Sequence, residues 1–334
     1  MKAFAIQNGF GFENLAVLQR PDPLPGPGQV VLRVRAASLN YRDLLIVKGM
    51  YNPSLAMPRV LGSDGAGEVE AVGAGVTKWK VGDRVIGCFF QEWRDGGITD
   101  AAGRSTLGGD RDGVFAGRVL VEQDGLVNLP DDLSFEEAAT LPCAALTAWN
   151  ALQQAGCGPG KTVLVQGTGG VSLFALQFAT ALGAKVLAIS GSDEKLARAI
   201  SLGATAGANY KSSPEWDKWV RKQTDGRGVD IVVEVGGAGT LERSAKAVRT
   251  GGFIALIGVL AGLGTFNPMN ILMKSLTIQG IFVGSATMFE AMNRFVVEKR
   301  IQPVIDRVFP LDDALAAMKH LESGSHFGKI VLKP

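Results

Sequence analysis

The sequence is poor in the residues that build metal centres and nucleophilic catalytic sites. Its two histidines, His320 and His326, both fall in the last fifteen residues, and its three cysteines are Cys88, Cys143 and Cys157. So little histidine argues against a histidine-built metal centre or a Ser-His-Asp triad in the body of the chain. Three scattered cysteines without a Cys-x-x-Cys pair make no disulfide framework, so a reducing, cytoplasmic setting is expected.

The sequence also lacks a long apolar run and a strong charge of either sign. No apolar stretch reaches the roughly 18 residues that a membrane-spanning helix needs, and the opening MKAFAIQNGF lacks the pattern of a cleavable signal. The net charge is only +2, and no dense block of lysine and arginine occurs. These absences exclude a membrane or nucleic acid as the expected partner and favour a small molecule.

The part of the chain before residue 125 has the short apolar runs and frequent turns of a β-rich domain. Gln29–Ala37, Glu68–Val72 and Arg84–Gly87 are strand-like and are separated by glycine, proline and aspartate. This spacing predicts a small barrel or sandwich. The stretch Gln91–Gly117 has little periodicity, and we expect a long surface lobe there, of the kind that is functional or mobile.

From about Lys161 onward, strand-like and helix-like segments alternate. This rhythm predicts an α/β domain with a doubly wound parallel sheet. After a helical segment near Phe289, two further strands are expected at Val304–Phe309 and Lys329–Leu332. The segments that alternate are Thr162–Gln166, Leu173–Leu182, Lys185–Ile189, Glu194–Leu202, Val229–Val235, Leu241–Thr250, Phe253–Ile257 and Leu276–Val283.

A glycine cluster joins the first strand of this domain to its first helix, in VLVQGTGGVSLFALQ. In a dinucleotide-binding fingerprint the first glycine permits a tight turn and the second lets the backbone approach the pyrophosphate. Gly167 and Gly169 match these two positions, whereas Ser172 stands where the third glycine belongs. We expect the serine to loosen helix–strand packing slightly; a plain turn without a ligand is the alternative. The candidate cofactor-binding residues are Gly167, Thr168, Gly169, Gly170 and Val171.

The end of the second strand of this domain indicates the type of dinucleotide. An acidic residue there usually binds the ribose 2′-hydroxyl of NAD, but this chain has Ser190 and Ser192, with Lys195 one turn further on. Small hydroxyls and a lysine suit a 2′-phosphate. Asp193 and Glu194 fit better as first-turn residues that face the helix dipole. NADP(H) is therefore favoured; a solvated helix start is the alternative.

Several motifs together resemble the medium-chain dehydrogenase/reductase superfamily. They are ASLNYRD, LGSDGAGEVEAVGAGVTKWKVGDRV, LPCAALTAWNAL, the glycine motif and the closing HFGKIVLKP. The resemblance implies a GroES-like catalytic domain at 1–124 and 290–334, a Rossmann domain at 125–289, and a homodimer. It also implies that Thr147, Phe327 and Lys329 contact the cofactor, and that Tyr210 in GANYK flanks the 2′-phosphate of NADPH.

Within this superfamily the chain departs from the zinc alcohol dehydrogenases. Those enzymes carry a cysteine where Asn40 stands, His-Glu where Ser63-Asp64 stand, and their third catalytic ligand where Cys143 stands. One thiolate candidate does not make a catalytic zinc site, which needs three protein ligands. The 91–117 lobe also lacks the four cysteines of a structural zinc site, so no zinc is expected and Cys143 is expected to be a packed, inert thiol.

The zinc-free members that the chain resembles are the quinone oxidoreductases and enone reductases. Their Asn-x-x-Asp pattern matches Asn40 and Asp43, and their Gly-x-Tyr pattern matches Gly49 and Tyr51. The 91–117 lobe is longer than in typical quinone oxidoreductases and looks more like that of a zinc-type alcohol dehydrogenase-like branch. The resemblance therefore implies an oxidoreductase and leaves the substrate class open.

Without a metal, hydrogen-bond donors have to stabilise the negative oxygen that develops when a carbonyl compound accepts hydride. Asn40 and Tyr51 are the candidate donors, and either Tyr51 or water supplies the proton after hydride transfer. Asp43 completes the candidate catalytic set, with orientation of the Asn40 loop as its expected role. Each has a structural alternative: Asn40 caps a turn, and Tyr51 packs over the turn that follows it. The predicted reaction is reduction of an activated C=C bond, quinone or carbonyl of a small apolar substrate. An alcohol dehydrogenase-like enzyme and a non-enzymatic NADP(H)-binding protein remain the alternatives.

Overall fold

A computed structural model describes residues 1–258, 260 and 264–334. The chain divides into a discontinuous unit, Met1–Leu146 with Gly284–Pro334, and a continuous unit, Thr147–Val283. These borders differ from the expected ones at residues 124 and 290. The first lies later because β-pairing joins Asn128 to Val85 and the backbone N–H of Cys143 donates to Asp64, so this stretch packs with the N-terminal strands. Among the described residues, no helix is long and apolar enough to cross a membrane.

The described residues form strands and helices in the alternation that the sequence predicts. The strands are β1 (Lys2–Ile6), β2 (Leu15–Gln19), β3 (Gln29–Ser38), β4 (Arg59–Val60), β5 (Asp64–Val72), β6 (Arg84–Gly87), β7 (Arg118–Glu122), β8 (Leu126–Asn128), β9 (Thr162–Gln166), β10 (Lys185–Ser190), β11 (Ala206–Asn209), β12 (Val229–Glu234), β13 (Val248–Leu256), β14 (Thr277–Gly280), β15 (Ile305–Pro310) and β16 (Lys329–Lys333). The helices are α1 (Tyr41–Val47), α2 (Asp100–Gly103), α3 (Phe135–Ala138), α4 (Leu146–Gln154), α5 (Gly170–Ala181), α6 (Asp193–Ser201), α7 (Trp216–Lys222), α8 (Ala238–Ala247), α9 (Met269–Lys274), α10 (Ala286–Glu298) and α11 (Ala314–Glu322).

The discontinuous unit is built on a mostly antiparallel sheet in the order β15-β16-β3-β5-β6-β8, with β7 also paired to β3. The end of β3 lies between the C-terminal strand β16 and the start of β5, because Ser38 pairs with both Val331 and Asp64. Continuing the antiparallel β3–β16 register by two residues sets Lys329 opposite Asn40. Residues from opposite ends of the sequence therefore meet where β3 leads into α1.

The 91–117 segment is only in part the surface lobe that its composition suggests, because residues 94–101 are exposed whereas most of residues 102–117 are buried. Leu107, Val114 and Phe115 are fully buried in the core of the discontinuous unit. The Gln91 amide ties the segment down by donating to the carbonyls of Cys88 and Gly125. The expectation of a surface lobe is therefore wrong for residues 102–117: isolated apolar side chains in a glycine-rich context lack periodicity, yet they fill the core of this unit.

The continuous unit contains the predicted doubly wound sheet. Its six strands are parallel and run in the order β11-β10-β9-β12-β13-β14, which is the 3-2-1-4-5-6 order of a dinucleotide-binding domain. The central strands β9 and β12 are almost completely buried, as their apolar runs predict for strands covered on both faces. The chain reverses direction across the sheet between these two strands, and ligands bind at the carboxyl ends of strands at such a point.

Candidate functional site

The glycine loop (residues 167–171) connects the carboxyl end of β9 to the start of α5. Gly167 has a φ of 73°, a conformation that favours glycine, and Gly169 is the N-cap residue of α5. No side chain caps this helix, and a Cβ built on Gly167 or Gly169 would have no heavy atom within 4 Å. The space in front of the first amides of α5, where Gly170 and Val171 begin the helix, is therefore open. Such a helix N-terminus is suited to a phosphate group.

Ser172 connects the helix to the strand rather than loosening the two. Its hydroxyl donates to the backbone carbonyl of Gln166 at 2.5 Å, and the side chain is buried. The missing third glycine is therefore replaced by a hydrogen bond that holds the start of α5 against the end of β9. The expected slight loosening of the packing is not what the structure shows.

A buried carboxylate that was not predicted from the sequence forms a hydrogen bond with the residue just before the glycine loop. Glu234, the last residue of β12, is fully buried and accepts hydrogen bonds from the Gln166 amide at 2.8 Å and from the Ser244 hydroxyl. It also accepts from the backbone N–H groups of Gly236 and Gly237 at 2.8 and 2.9 Å. Glu234 thus joins the ends of the two strands at the reversal point, and a lone glutamate ending an apolar run is the one signal that could have indicated it.

The residues expected to contact a 2′-phosphate gather at the adjacent strand end. Tyr210 donates its backbone N–H to the carbonyl of Ser190 at 3.0 Å. The hydroxyl of Ser192 caps α6 by accepting the backbone N–H of Lys195 at 3.3 Å. A Cβ built on Gly191 would lie 2.8 Å from the Tyr210 hydroxyl, so the phenol lies directly against this loop.

Two further charged side chains, Lys211 and Asp193, lie at this loop and bear on whether it could bind a phosphate. Lys211, which the sequence analysis did not single out, lies as close as Tyr210: its Cε would be 3.0 Å from a Cβ on Gly191. Asp193, which could have repelled a phosphate, accepts a hydrogen bond from the Asn209 amide at 3.0 Å. The loop thus adds a second lysine, and the Asp193 carboxylate beside it is hydrogen-bonded to an amide.

The second group of candidate residues lies inside the discontinuous unit, around Asn40. The side-chain oxygen of Asn40 accepts a hydrogen bond from the Lys329 ammonium, and its Nδ2 donates to the Ser63 hydroxyl at 3.3 Å. Ser63 in turn donates to Asp64 Oδ1 at 2.6 Å. Asp64 Oδ2 accepts the backbone N–H of Cys143 at 3.0 Å and lies 3.8 Å from Lys329 Nζ. These five residues form one continuous hydrogen-bonded chain, in which Asn40, Ser63, Asp64 and Lys329 are buried and Cys143 is partly buried.

Cys143 lies in a π-helical turn, Leu141–Ala145, an irregularity that is frequent at functional sites. Burial, together with the nearby Asp64 carboxylate, raises the pKa of its thiol far above the ordinary value. A thiol in this position stays protonated at neutral pH, in keeping with the expectation of an unreactive cysteine.

Asp43 has the supporting position that the sequence analysis favoured. It is fully buried and accepts the backbone N–H of Asn40 at 2.8 Å, which holds the entry to α1. Its Oδ1 has no hydrogen-bond partner among the described residues. Burial raises the pKa of this carboxyl to about 6, against the opposing effect of the Arg42 guanidinium. The hydrogen bond that Asp43 accepts thus comes from the backbone of the loop that carries Asn40.

Tyr51 packs against a buried guanidinium. The Arg42 guanidinium carbon lies 4.8 Å from the centre of the Tyr51 ring and 4.7 Å from that of Phe89, and Nη1 donates to the Leu107 carbonyl at 2.7 Å. Burial raises the pKa of the Tyr51 hydroxyl. The phenol therefore stays protonated and is better suited to donate a hydrogen bond than to give up its proton. Arg42, Asp43, Asp64 and Lys329 are all buried, and the other three lie close enough to Asp43 to influence its pKa.

The three remaining predicted cofactor contacts are buried. Thr147 lies in α4 at the start of the continuous unit, and Phe327 lies just before β16, where its N–H donates to Asp306 at 2.9 Å. The Lys329 side chain is only 3% exposed. Their role in cofactor binding stays a prediction.

Comparison with known proteins identifies both units. Residues 26–131 match the family model described as the alcohol dehydrogenase GroES-like domain, and residues 170–298 match that of the zinc-binding dehydrogenases. A zinc-type alcohol dehydrogenase-like protein of Schizosaccharomyces pombe is 48% identical over 92% of this chain and 91% of its own length.

Two other similarities extend the comparison. The quinone oxidoreductase of Rattus norvegicus is 31% identical, over 97% of this chain and 95% of its own length. The crystal structure of a putative alcohol dehydrogenase from Sinorhizobium meliloti 1021 superposes with a TM-score of 0.92 at 40% identity, and covers 100% of this chain and 98% of that one. The discontinuous unit is thus GroES-like, and the continuous unit has the Rossmann fold expected from its strand order.

Proposed function

The chain belongs to the medium-chain dehydrogenase/reductase superfamily, and we propose that within it the protein is a zinc-independent, NADP(H)-dependent oxidoreductase. Its proposed substrates are small apolar molecules that carry an activated C=C bond, a quinone or a carbonyl. The observation that carries the proposal is the hydrogen-bonded chain around Asn40, in which the cation is a lysine ammonium bound to the Asn40 oxygen and Asn40 Nδ2 is a donor.

The residues of this chain do not fit a catalytic zinc ion. Such a site needs three protein ligands and deprotonated thiols. Here the Asn40 oxygen is occupied by Lys329, and the Ser63 hydroxyl is bonded to Asp64. Cys143 is the one thiol among these groups, and Asp64 lies within ion-pair distance of Lys329. Among the described residues, no group of three histidine, cysteine, aspartate or glutamate side chains could hold a metal ion.

The glycine loop fits the pyrophosphate of a nicotinamide dinucleotide. The open space at Gly167 and Gly169 and the uncapped amides of α5 would hold the phosphates. Ser192, Lys195 and Tyr210, joined by Lys211, support a 2′-phosphate and hence NADP(H). When bound, the nicotinamide cofactor supplies or accepts a hydride.

The Asn40 region supplies what a hydride acceptor requires. As hydride adds to a conjugated carbon, the electron pair moves to the carbonyl oxygen, which needs donors to stabilise its negative charge. Asn40 Nδ2 and the protonated Tyr51 phenol are such donors. A conjugated carbonyl or a quinone spreads the charge and needs less stabilisation than a simple ketone, so these substrates suit a metal-free site. The proton that completes the reduction comes from solvent.

Two alternatives have observations in their favour. The relative from Schizosaccharomyces pombe is named as alcohol dehydrogenase-like, which supports interconversion of alcohols and aldehydes. The extensive internal hydrogen bonding around Asn40 would also suit a protein that binds NADP(H) without turning over a substrate. A homodimer and a cytoplasmic location, both expected from the sequence, stay predictions.

The experiment that tests the proposal compares two reductions with one oxidation. Purified protein is assayed with NADPH and with NADH on 2-cyclohexen-1-one and 1,4-naphthoquinone, and with NADP⁺ on benzyl alcohol, each before and after dialysis against 1,10-phenanthroline. We expect reduction of the conjugated acceptors that the chelator does not change. Chelator-sensitive alcohol oxidation would instead favour the alcohol dehydrogenase alternative, and NADPH binding without any turnover would favour the non-enzymatic one.

A further inference from the structure

Lys329 is a buried cation whose partners all belong to the discontinuous unit. It is the first residue of β16, and its Nζ donates to the Leu39 carbonyl at 2.6 Å and to the side-chain oxygen of Asn40. Asp64 Oδ2 lies 3.8 Å away, at ion-pair distance. An ammonium has three hydrogens and no acceptor. Two of them are therefore engaged by oxygen atoms next to α1, and the Asp64 carboxylate is the anion at ion-pair distance.

This contact decides how the Asn40 amide is turned. Because an ammonium can only donate, the Asn40 atom that it touches has to be Oδ1, and Nδ2 is left on the opposite side of the amide. A flipped amide would bring N–H against an ammonium and lose a charge-assisted hydrogen bond. Nδ2 carries two hydrogens, and Ser63 accepts one of them. The second has no partner among the described residues.

We propose that Lys329 is a positioning residue that holds Asn40 with Nδ2 as the outward donor. The inference rests on the proposed function, in which Nδ2 donates to the oxygen of the reacting carbonyl. The ammonium also polarises the amide through Oδ1, which strengthens Nδ2–H as a donor in this buried setting. In this role the lysine supplies a fixed positive charge next to Asn40 Oδ1, on the side of the amide opposite Nδ2. This charge is the one property that it shares with a metal ion.

This role differs measurably from the cofactor contact that the sequence resemblance implies for Lys329. A lysine that bound a phosphate would lower the dissociation constant of NADPH. A lysine that acts through Asn40 raises kcat and leaves NADPH affinity nearly unchanged. The two roles are separated by measuring kcat with 2-cyclohexen-1-one and the NADPH dissociation constant by fluorescence titration on the same preparations.

The test is a double-mutant cycle of Lys329→Met and Asn40→Ala. Loss of one oxyanion donor typically costs about a hundredfold or more in kcat, which is the expectation for Asn40→Ala. We expect Lys329→Met to lose at least about tenfold in kcat, with the NADPH dissociation constant within threefold of the parent, about 0.65 kcal/mol. The double variant should be no slower than Asn40→Ala alone. Independent losses that multiply, or an unchanged kcat with weakened NADPH binding, would overturn the proposal.

Lys333→Met is the matched control. Lys333 ends the same strand, but its side chain is 55% exposed and pairs with Glu136 at 2.6 Å on the surface. Removal of this charge should leave kcat and NADPH affinity within twofold of the parent, as expected for an exposed ion pair. A loss equal to that of Lys329→Met would mean that kcat depends on the positive charge of β16 in general, and not on the contact between Lys329 and Asn40.

Asn40→Asp covers the case in which Lys329→Met does not fold. Aspartate keeps an oxygen for Lys329 and removes the N–H donor, so we expect a folded protein with kcat as low as that of Asn40→Ala. A fully active Asn40→Asp would show that the reaction does not need the Nδ2–H donor, and would overturn the proposal. If the wild type reduces neither acceptor, the proposed function fails, whereas additive shifts in melting temperature across the cycle would still refute the Lys329–Asn40 contact.

Discussion

The two candidate regions are built in opposite ways. The glycine loop of the continuous unit presents backbone amides to open space, and its key positions carry no side chain. The Asn40 region of the discontinuous unit consists of buried side chains that are nearly all paired with one another. The first region requires empty space next to its backbone amides, whereas the second requires several specific side chains, each in one orientation. Substitutions should therefore act by filling space in the first region and by unpairing groups in the second.

Gly169→Val should have the largest effect on cofactor binding. The space around this position is open and its φ of −80° suits any residue, so the fold should survive while the branched side chain blocks the pyrophosphate. We expect NADPH binding to weaken by at least about 2 kcal/mol, or some thirtyfold. Fluorescence titration and thermal melts of Gly169→Val and of the milder Gly169→Ala measure the two effects. Parent-like binding by Gly169→Val would mean that the loop is an ordinary strand–helix turn.

How far the sequence predicted each region follows from the same contrast. The glycine loop was predictable because its function depends on local backbone geometry, which a short motif with its flanking strand and helix specifies. Asn40, Asp43 and Tyr51 were indicated only by resemblance. The pairing of Asn40 with Lys329 was not predicted, because it joins residues 289 positions apart through the register of β3 and β16. The hydrogen-bond role of Ser172 was also missed, since it needs a carbonyl whose direction only the fold determines.

Lys195→Ala should weaken NADPH binding by about tenfold, the cost of one lost charge-assisted hydrogen bond. NADH binding should change less than twofold, because NADH lacks the 2′-phosphate. We expect Lys211→Ala to raise the dissociation constant of NADPH about threefold, because it is the side-chain carbon Cε of Lys211 that lies against Gly191. Titrations of both cofactors check this, with Lys185→Ala at the opposite end of β10 as the control. Equal losses for the two cofactors would show that Lys195 does not contact the phosphate.

The buried carboxyl of Asp43 should give the discontinuous unit a pH dependence. Burial raises its pKa from 3.8 to about 6, so between these values the folded chain holds a proton that the unfolded chain has lost. The contribution of Asp43 to the free energy of unfolding is therefore fully present below pH 4 and falls as pH rises through 6. In Asp43→Asn, which keeps an oxygen for the Asn40 N–H, the decline between pH 5 and 8 should shrink by on the order of 1 kcal/mol.

Denaturant unfolding at several pH values measures this slope, and Asp230→Asn in the continuous unit is the control. The pairing of Asp230 with Arg227 and Arg249 lowers its pKa below 3.8 despite burial, so it is ionised in both states above pH 5. Its substitution should shift the whole stability curve without changing the slope. A slope in Asp43→Asn that matches the parent would show that this carboxyl is ionised in the folded protein at pH 5.

Ser172→Ala should have the smallest effect on cofactor binding. The hydroxyl points to the Gln166 carbonyl and away from the open side of the glycine loop, so NADPH affinity should stay within about threefold. The free energy of unfolding should fall by about 1 kcal/mol, because the substitution leaves a buried carbonyl without its partner. Ser172→Gly should cost more stability than Ser172→Ala, since glycine in a helix adds about 0.5–1 kcal/mol of backbone entropy. Fluorescence titration and denaturant unfolding of both variants separate the two readouts. A tenfold loss of NADPH affinity in Ser172→Ala would show that the hydrogen bond sets the shape of the loop, and that the open region depends on paired side chains as much as the Asn40 region does.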